Sequence, residues 1–180
     1  MMDIAASLLV LLALAPLLLA VAIGVKLSSP GPAIFRQQRV GKDGRPFEIY
    51  KFRSMPTGTG DVASDAIGKT TITAFGQFIR RTNLDELPQL FNILKGDMSL
   101  VGPRPPLASQ QDLVDLRAAN GALGCRPGLT GLAQVNSFDG MSVAEKAAFD
   151  GRYATRITLA SDTAIIFRTI GYLMRPPPVY

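Results

Sequence analysis

The apolar positions of this chain fall into one long block and several short periodic ones. The block, IAASLLVLLALAPLLLAVAIGV, covers residues 4–25 without a charge, 22 positions in all. About 20 such residues are enough to cross a bilayer. A secretory leader would carry a basic stretch in front of the run, and here only Asp3 charges that stretch. A single spanning helix is the plain reading. A broken pair is the other, because Pro16 removes a backbone hydrogen bond and clashes with the turn before it. Two halves of about 12 residues could then enter one leaflet and turn back, if the freed backbone groups find partners. All 19 basic residues follow the run, which places the rest of the chain on the cytoplasmic side. The pattern divides the chain into a membrane segment, 1–27, and a single unit, 28–180.

Beyond the block the periods are shorter. AIFRQQRV and PFEIYKFRSM read as two strands joined by the turn GKDG, with Phe47, Ile49 and Lys51 on one face and Glu48, Tyr50 and Phe52 on the other. PTGTGDVASDAIGKTT reads as a loop; its glycines and its GKTT lack the spacing of a phosphate-binding loop. Ile72, Phe75, Phe78 and Ile79 recur at helical spacing, as do Leu87, Leu90, Phe91 and Leu94, with Gly96 as the stop. PLASQQDLVDLRAAN predicts a helix ending before Gly121, and CRPGLTGLAQVNSF is loop-rich. SVAEKAAFDGRYATR predicts a helix opened by a Ser142–Glu145 capping box. Ile165, Ile166, Thr169 and Leu173 form the stripe of a last amphipathic helix. The sum is an α+β, helix-rich fold with a small β-hairpin.

Composition narrows the chemistry. There is no histidine, which excludes histidine triads, histidine bases and most zinc sites. The one cysteine, Cys125, excludes an intrachain disulfide. Carboxylates, hydroxyls, lysine and arginine remain. The net charge of +5 suits phosphates or an anionic membrane surface. Six basic residues (Arg36, Arg39, Lys42, Arg45, Lys51, Arg53) stand against Asp43 and Glu48 just after the apolar block. Nucleic acid is not favoured, since the basic residues do not interleave with aromatics in a recognition motif.

Asp85 and Glu86 then stand out in NLDELPQLFNILKGDMSLVGPRP. Acids at a helix start are ordinary, worth roughly 0.3–1 kcal/mol each. With Asp85 as N-cap, Pro88 falls in the first turn, where its missing N–H is harmless. The reactive reading is a carboxylate that attacks phosphorus, beside a second carboxylate that helps hold Mg²⁺. Arginines would clamp the phosphate oxygens: Arg80, Arg81, Arg104 in GPRP and Arg126 in RPG.

The order YKFRSM, RTNLDELPQLFNILKGDMSLVGPRP, RPGLTGLAQVN resembles the bacterial sugar transferases, the monotopic polyprenyl-phosphate phosphoglycosyl transferases, over nearly the whole chain. The resemblance implies a minimal catalytic unit that moves a sugar-1-phosphate from a UDP-sugar to undecaprenyl phosphate. UMP would leave, through a covalent phospho-sugar enzyme and with Mg²⁺. It implies Asp85 as nucleophile and Glu86 as its partner in metal binding or proton handling. Arg80, Arg81, Arg104 and Arg126 would bind phosphate or nucleotide, with Lys51 and Arg53 in the same pocket. It also implies a re-entrant helix on the cytoplasmic face of the bacterial inner membrane. The break would fall at Ala15–Pro16, where the family usually has Ser-Pro, and MMD replaces its usual basic start. Implied partners are membrane lipid, a second copy of the chain and downstream glycosyltransferases. Sugar contacts would come from residues 56–71 or 136–150. An inactive, membrane-tethered scaffold of a glycan assembly line is the competing expectation.

Overall fold

The structure is a computed structural model and describes residues 2–57, 72–136 and 141–173. It is helix-rich α+β, with one antiparallel hairpin and one short parallel pair of strands. Residues 58–71 of the predicted loop 56–71, and the RPPPVY ending, lie outside the described residues.

The apolar block forms two helices, α1 (Met2–Ala13) and α2 (Ala15–Ser28), bent by 66°. The bend sits at Leu14, one residue before the expected Ala15–Pro16 break. Pro16 therefore lies in the first turn of α2, where it has no hydrogen bond to lose. Among the described residues no single helix is long and apolar enough to cross a membrane; only the bent pair is, by length and composition.

Each helix buries one seam and leaves the rest of its surface open. Leu11 of α1 packs with Ile49, Leu90, Ile93 and Met98. Val21 and Val25 of α2 pack with Phe52 and Ile79. Ile4, Leu8, Leu9, Leu12, Leu19 and Leu27 stay exposed. Both ends of the pair are tied to the rest of the chain. Ser99 Oγ donates to Asp3 Oδ2 at 2.5 Å. Arg53 donates to the carbonyls of Ser29, at 2.7 Å, and Pro30.

The hairpin pairs β1 (Ile34–Val40) with β2 (Pro46–Phe52), in a register running from Ile34 opposite Phe52 to Val40 opposite Pro46. Its turn is a single 3₁₀ turn with Asp43 and Gly44 at positive φ. β2 separates two cores, sending Ile49 to one and Phe52 to the other. Asn92 fastens its free edge, accepting from Tyr50 N at 3.0 Å and donating to the Glu48 carbonyl at 2.6 Å.

Helix α3 (Ala74–Arg81) starts at Thr73, whose hydroxyl accepts from Gly76 N. A 3₁₀ turn, Leu84–Glu86, and helix α4 (Gln89–Lys95) follow in place of the single helix expected from Asp85 onward. Asn83 in the left-handed region turns the chain, and Pro88 stops the 3₁₀ turn from running into α4. The buried face of α4 carries Leu90, Asn92 and Ile93; Phe91, expected on it, is half exposed. Asn92 turns toward the edge of β2 and Ile93 into the core, which carries Phe91 outward.

β3 (Ser99–Val101) and β4 (Gly128–Thr130) pair in parallel and bring the GPRP and RPG loops together. β4 and helix α6 (Leu132–Asn136) fall in the stretch that reads as loop-rich, and β3 in one to which the sequence assigns no element. Helix α5 (Gln111–Ala119) starts later than PLASQQ suggests, since Leu107 closes a turn with Gln110 first. Helix α7 (Val143–Thr155) has both arms of its capping box. On helix α8 (Leu159–Leu173) Ile165 is buried and Thr169 bonds Thr130, while Ile166 and Leu173 are exposed.

Candidate active site

The 3₁₀ turn between α3 and α4 holds Asp85 and Glu86 where three elements converge. β2 supplies Lys51, the loop after β3 supplies Arg104, and α3 supplies Arg80. Glu86 is the anchor. Its Oε1 lies 2.7 Å from Lys51 Nζ and 2.7 Å from Arg104 Nη2, and Oε2 lies 3.4 Å from Arg104 Nη1. Asp85 is buried, and among the described residues no hydrogen bond or ion pair holds its carboxylate.

The two acids titrate apart. Burial pushes Asp85 up to about 6, and the charge of Glu86 adds to it, while Lys51, Arg80 and Arg104 pull the other way. Burial also acts upward on Glu86. There Arg104 and Lys51 overrule it and hold the carboxyl well below the usual range. Burial lowers the Lys51 ammonium against the pull of Glu86. The three cations Lys51, Arg80 and Arg104 outnumber the two carboxylates, so the ensemble favours a further anion.

The remaining sequence-predicted residues divide. Arg80 is near enough to lower Asp85, and its Nε donates to Ser54 Oγ at 2.8 Å. Arg53 is buried and holds the chain leaving α2. Arg81 is exposed at the end of α3. Arg126 is exposed in the loop before β4, beside the GPRP loop but without an ion pair to Asp85 or Glu86 among the described residues. Residues 58–71 and 137–140, named for sugar contacts, lie outside the described residues.

Sequence reasoning missed Ser54, which aims Arg80, and Asn92, which fixes β2 at Glu48 and Tyr50, just before Lys51. The signal for Asn92 was a polar residue next to Ile93 on a short apolar helix. Ser54 gave none. Gln89 was also missed. It is 2% exposed and lines, with Arg39, Lys51 and Arg104, a small recess beside the acid pair.

Among the described residues no group of three His, Cys, Asp or Glu side chains could hold a metal by itself. The pair still suits a hard cation that takes one or two carboxylates and completes its shell with water and phosphate oxygens. Asp85 is the acceptor left open for one, since Glu86 is held by two cations.

Asp85, buried and without an ion pair among the described residues, lies among three cations that leave charge for a further anion. The family model described as bacterial sugar transferase matches residues 1–176, and the chain belongs to that family. It is 41% identical to the UDP-glucose:undecaprenyl-phosphate glucose-1-phosphate transferase of Caulobacter vibrioides, over 99% of this chain and 70% of that one. It is 40% identical to the undecaprenyl-phosphate galactose phosphotransferase of Salmonella typhimurium, over 99% of this chain and 40% of that one. It is 42% identical to the exopolysaccharide production protein PSS of Rhizobium leguminosarum, over 93% of this chain and 90% of that one. In several other relatives the match spans only 34–38% of the longer chain.

Proposed function

We propose that this chain transfers a sugar-1-phosphate from a UDP-sugar to undecaprenyl phosphate and releases UMP, as the first membrane step of a bacterial glycan. The observation that carries the reading is the division of labour in the acid pair. Glu86 is tied to Lys51 and Arg104, while among the described residues Asp85 beside it is held by no ion pair. An Asp85 carboxylate oxygen attacks the sugar-bearing phosphorus. The Asp85–phosphorus bond forms, the bond to the bridging oxygen breaks, and UMP leaves with that oxygen. A phosphate oxygen of the lipid then attacks the same phosphorus and frees Asp85.

Glu86 stays ionised throughout and keeps Lys51 and Arg104 aimed at the phosphoryl oxygens; it is a poor proton donor at neutral pH. Arg80, steadied by Ser54, faces the same charge. Asp85, with Glu86, would hold Mg²⁺, which when bound neutralises diphosphate charge. The relatives' names include glucose and galactose transferases, so the sugar is left to experiment.

The membrane reading is a re-entrant pair on the cytoplasmic face of the inner membrane. The two ties at Asp3 and Ser29 support it. A straight helix from Asp3 to Ser28 would be roughly 39 Å long and would carry its two ends to opposite faces of a bilayer.

The test is UMP release by wild type and Asp85→Asn, with UDP-sugar, Mg²⁺ and undecaprenyl phosphate each added or withheld. Turnover by the wild type alone, and only in the full mixture, supports the transfer. Without lipid phosphate the covalent route gives about one UMP per chain. An Asp85→Asn chain as active as wild type would sink the reading.

A further inference from the structure

We infer that Arg117, held by Asp150, is a positioning residue for Arg104 and so sets the clamp on the substrate's phosphate; this rests on Arg104 being a phosphate ligand, as proposed above. Arg104 lies in the segment Pro103-Arg104-Pro105-Pro106. Three of its four residues have no N–H, so the segment cannot satisfy its own carbonyls. Each carbonyl takes a donor from elsewhere. Pro103 accepts from Gly128 N at 2.9 Å, Pro105 from Arg39 Nη1 at 3.3 Å, and Pro106 from Val40 N at 3.0 Å. The carbonyl of Arg104 itself accepts from Arg117 Nη1 at 2.9 Å.

Arg117 comes from α5 and is almost wholly buried. Its Nε and Nη2 donate to Asp150 Oδ2 of α7, at 2.9 and 2.6 Å. The side chains of this pair are 5% and 1% exposed. Burying two charges is costly, and apolar residues of similar volume often join two helices as well or better. Holding α5 to α7 therefore does not account for a charged pair. The third arm of the guanidinium does. A planar fork can give two donors to one carboxylate oxygen and a third to a carbonyl on the far side; a lysine cannot span both. The Arg104 side chain points the other way, about half exposed, onto Glu86. Flanking prolines stiffen the backbone between the carbonyl and that side chain. The anchored carbonyl thus fixes where the guanidinium of Arg104 can reach.

The experiment is a coupling measurement in the full chain, embedded in lipid nanodiscs. Arg117→Met with Asp150→Val removes both charges at close to the original volume. The probe is UMP, its affinity read by calorimetry, with a circular-dichroism melt to confirm folding. We expect UMP to bind about tenfold more weakly, with the unfolding midpoint changed by only a few degrees. In an Arg104→Ala chain the same double replacement should cost less than about twofold, because the group it positions is gone. Unchanged affinity in the first chain, or an equal loss in both chains, overturns the inference. Should the double variant fail to fold, Arg117→Lys replaces it under the same two criteria. If Arg104→Ala alone leaves UMP binding intact, the fault lies in the phosphate reading of Arg104.

Discussion

At the scale of single residues the decisive contrast is between Asp85 and Glu86. They are neighbours in sequence, yet among the described residues one has no ion pair and the other is held by two cations. Asp85 has a folded-state pKa of about 6, above that of an unfolded aspartate, so its protonated form favours folding. That contribution is full below about pH 4 and is lost as pH rises through about 6. Glu86 has the opposite sign: its contribution is present above about pH 4.5 and is lost as pH falls further. At neutral pH the ionised Asp85 is therefore the group that strains the fold. Asp85→Asn should stabilise the protein on the order of 1–3 kcal/mol near pH 7.5, with the gain shrinking toward pH 4. Thermal melts at the two pH values check this; equal midpoints at pH 7.5 would sink it. The rate should fall on the acid side as Asp85 protonates near pH 6, above the range of an ordinary aspartate, and a pH–rate profile reads this directly. The acid pair was visible in the sequence because it is local. Which acid is free was not, since that depends on Lys51 and Arg104 arriving from far along the chain.

At the scale of elements, long periodic segments were legible and short ones were not. The hairpin, the capping box of α7 and the broken apolar pair follow from local rules. β3 and β4 are three residues each, too short for any period, and exist because two glycine-bearing loops meet. A Cβ on Gly128 would lie 2.1 Å from Gly102 N and 2.3 Å from the Thr130 carbonyl, and one on Gly102 would lie 2.3 Å from the Arg126 carbonyl. Backbone cannot yield there as a side chain could. Gly128→Ala should destabilise by about 2–4 kcal/mol and spread the two arginine loops. A fall in melting temperature together with weaker UMP binding is the expected outcome. Gly96→Ala is the control: nothing lies within 4 Å of its Cβ, and only its φ of 85° opposes the change. Its cost should be about 1–2 kcal/mol with UMP affinity unchanged.

At the scale of the whole molecule, the two ends of the helix pair and the acid pair belong to one folded body. This sets a topological test. In a Cys125→Ser chain, cysteines replacing Asp3 or Lys26 should both react with an impermeant maleimide from the cytoplasmic face alone. Labelling from opposite faces would establish a span. The composition of the block left both arrangements open, because the contacts that support the proposed re-entrant one, Asp3 with Ser99 and Ser29 with Arg53, join residues 96 and 24 positions apart. The same contacts bear on how the chain is made. The seam of the pair is closed by Ile79, Leu90, Ile93 and Met98, which leave the ribosome about 55–85 residues after Val25 and Leu11. At roughly 5–20 residues per second, the helices spend several seconds without their docking partners. During that interval the most apolar surface among the described residues is a nascent one, and on the proposed re-entrant reading a bilayer would be the solvent that receives it before the active site exists.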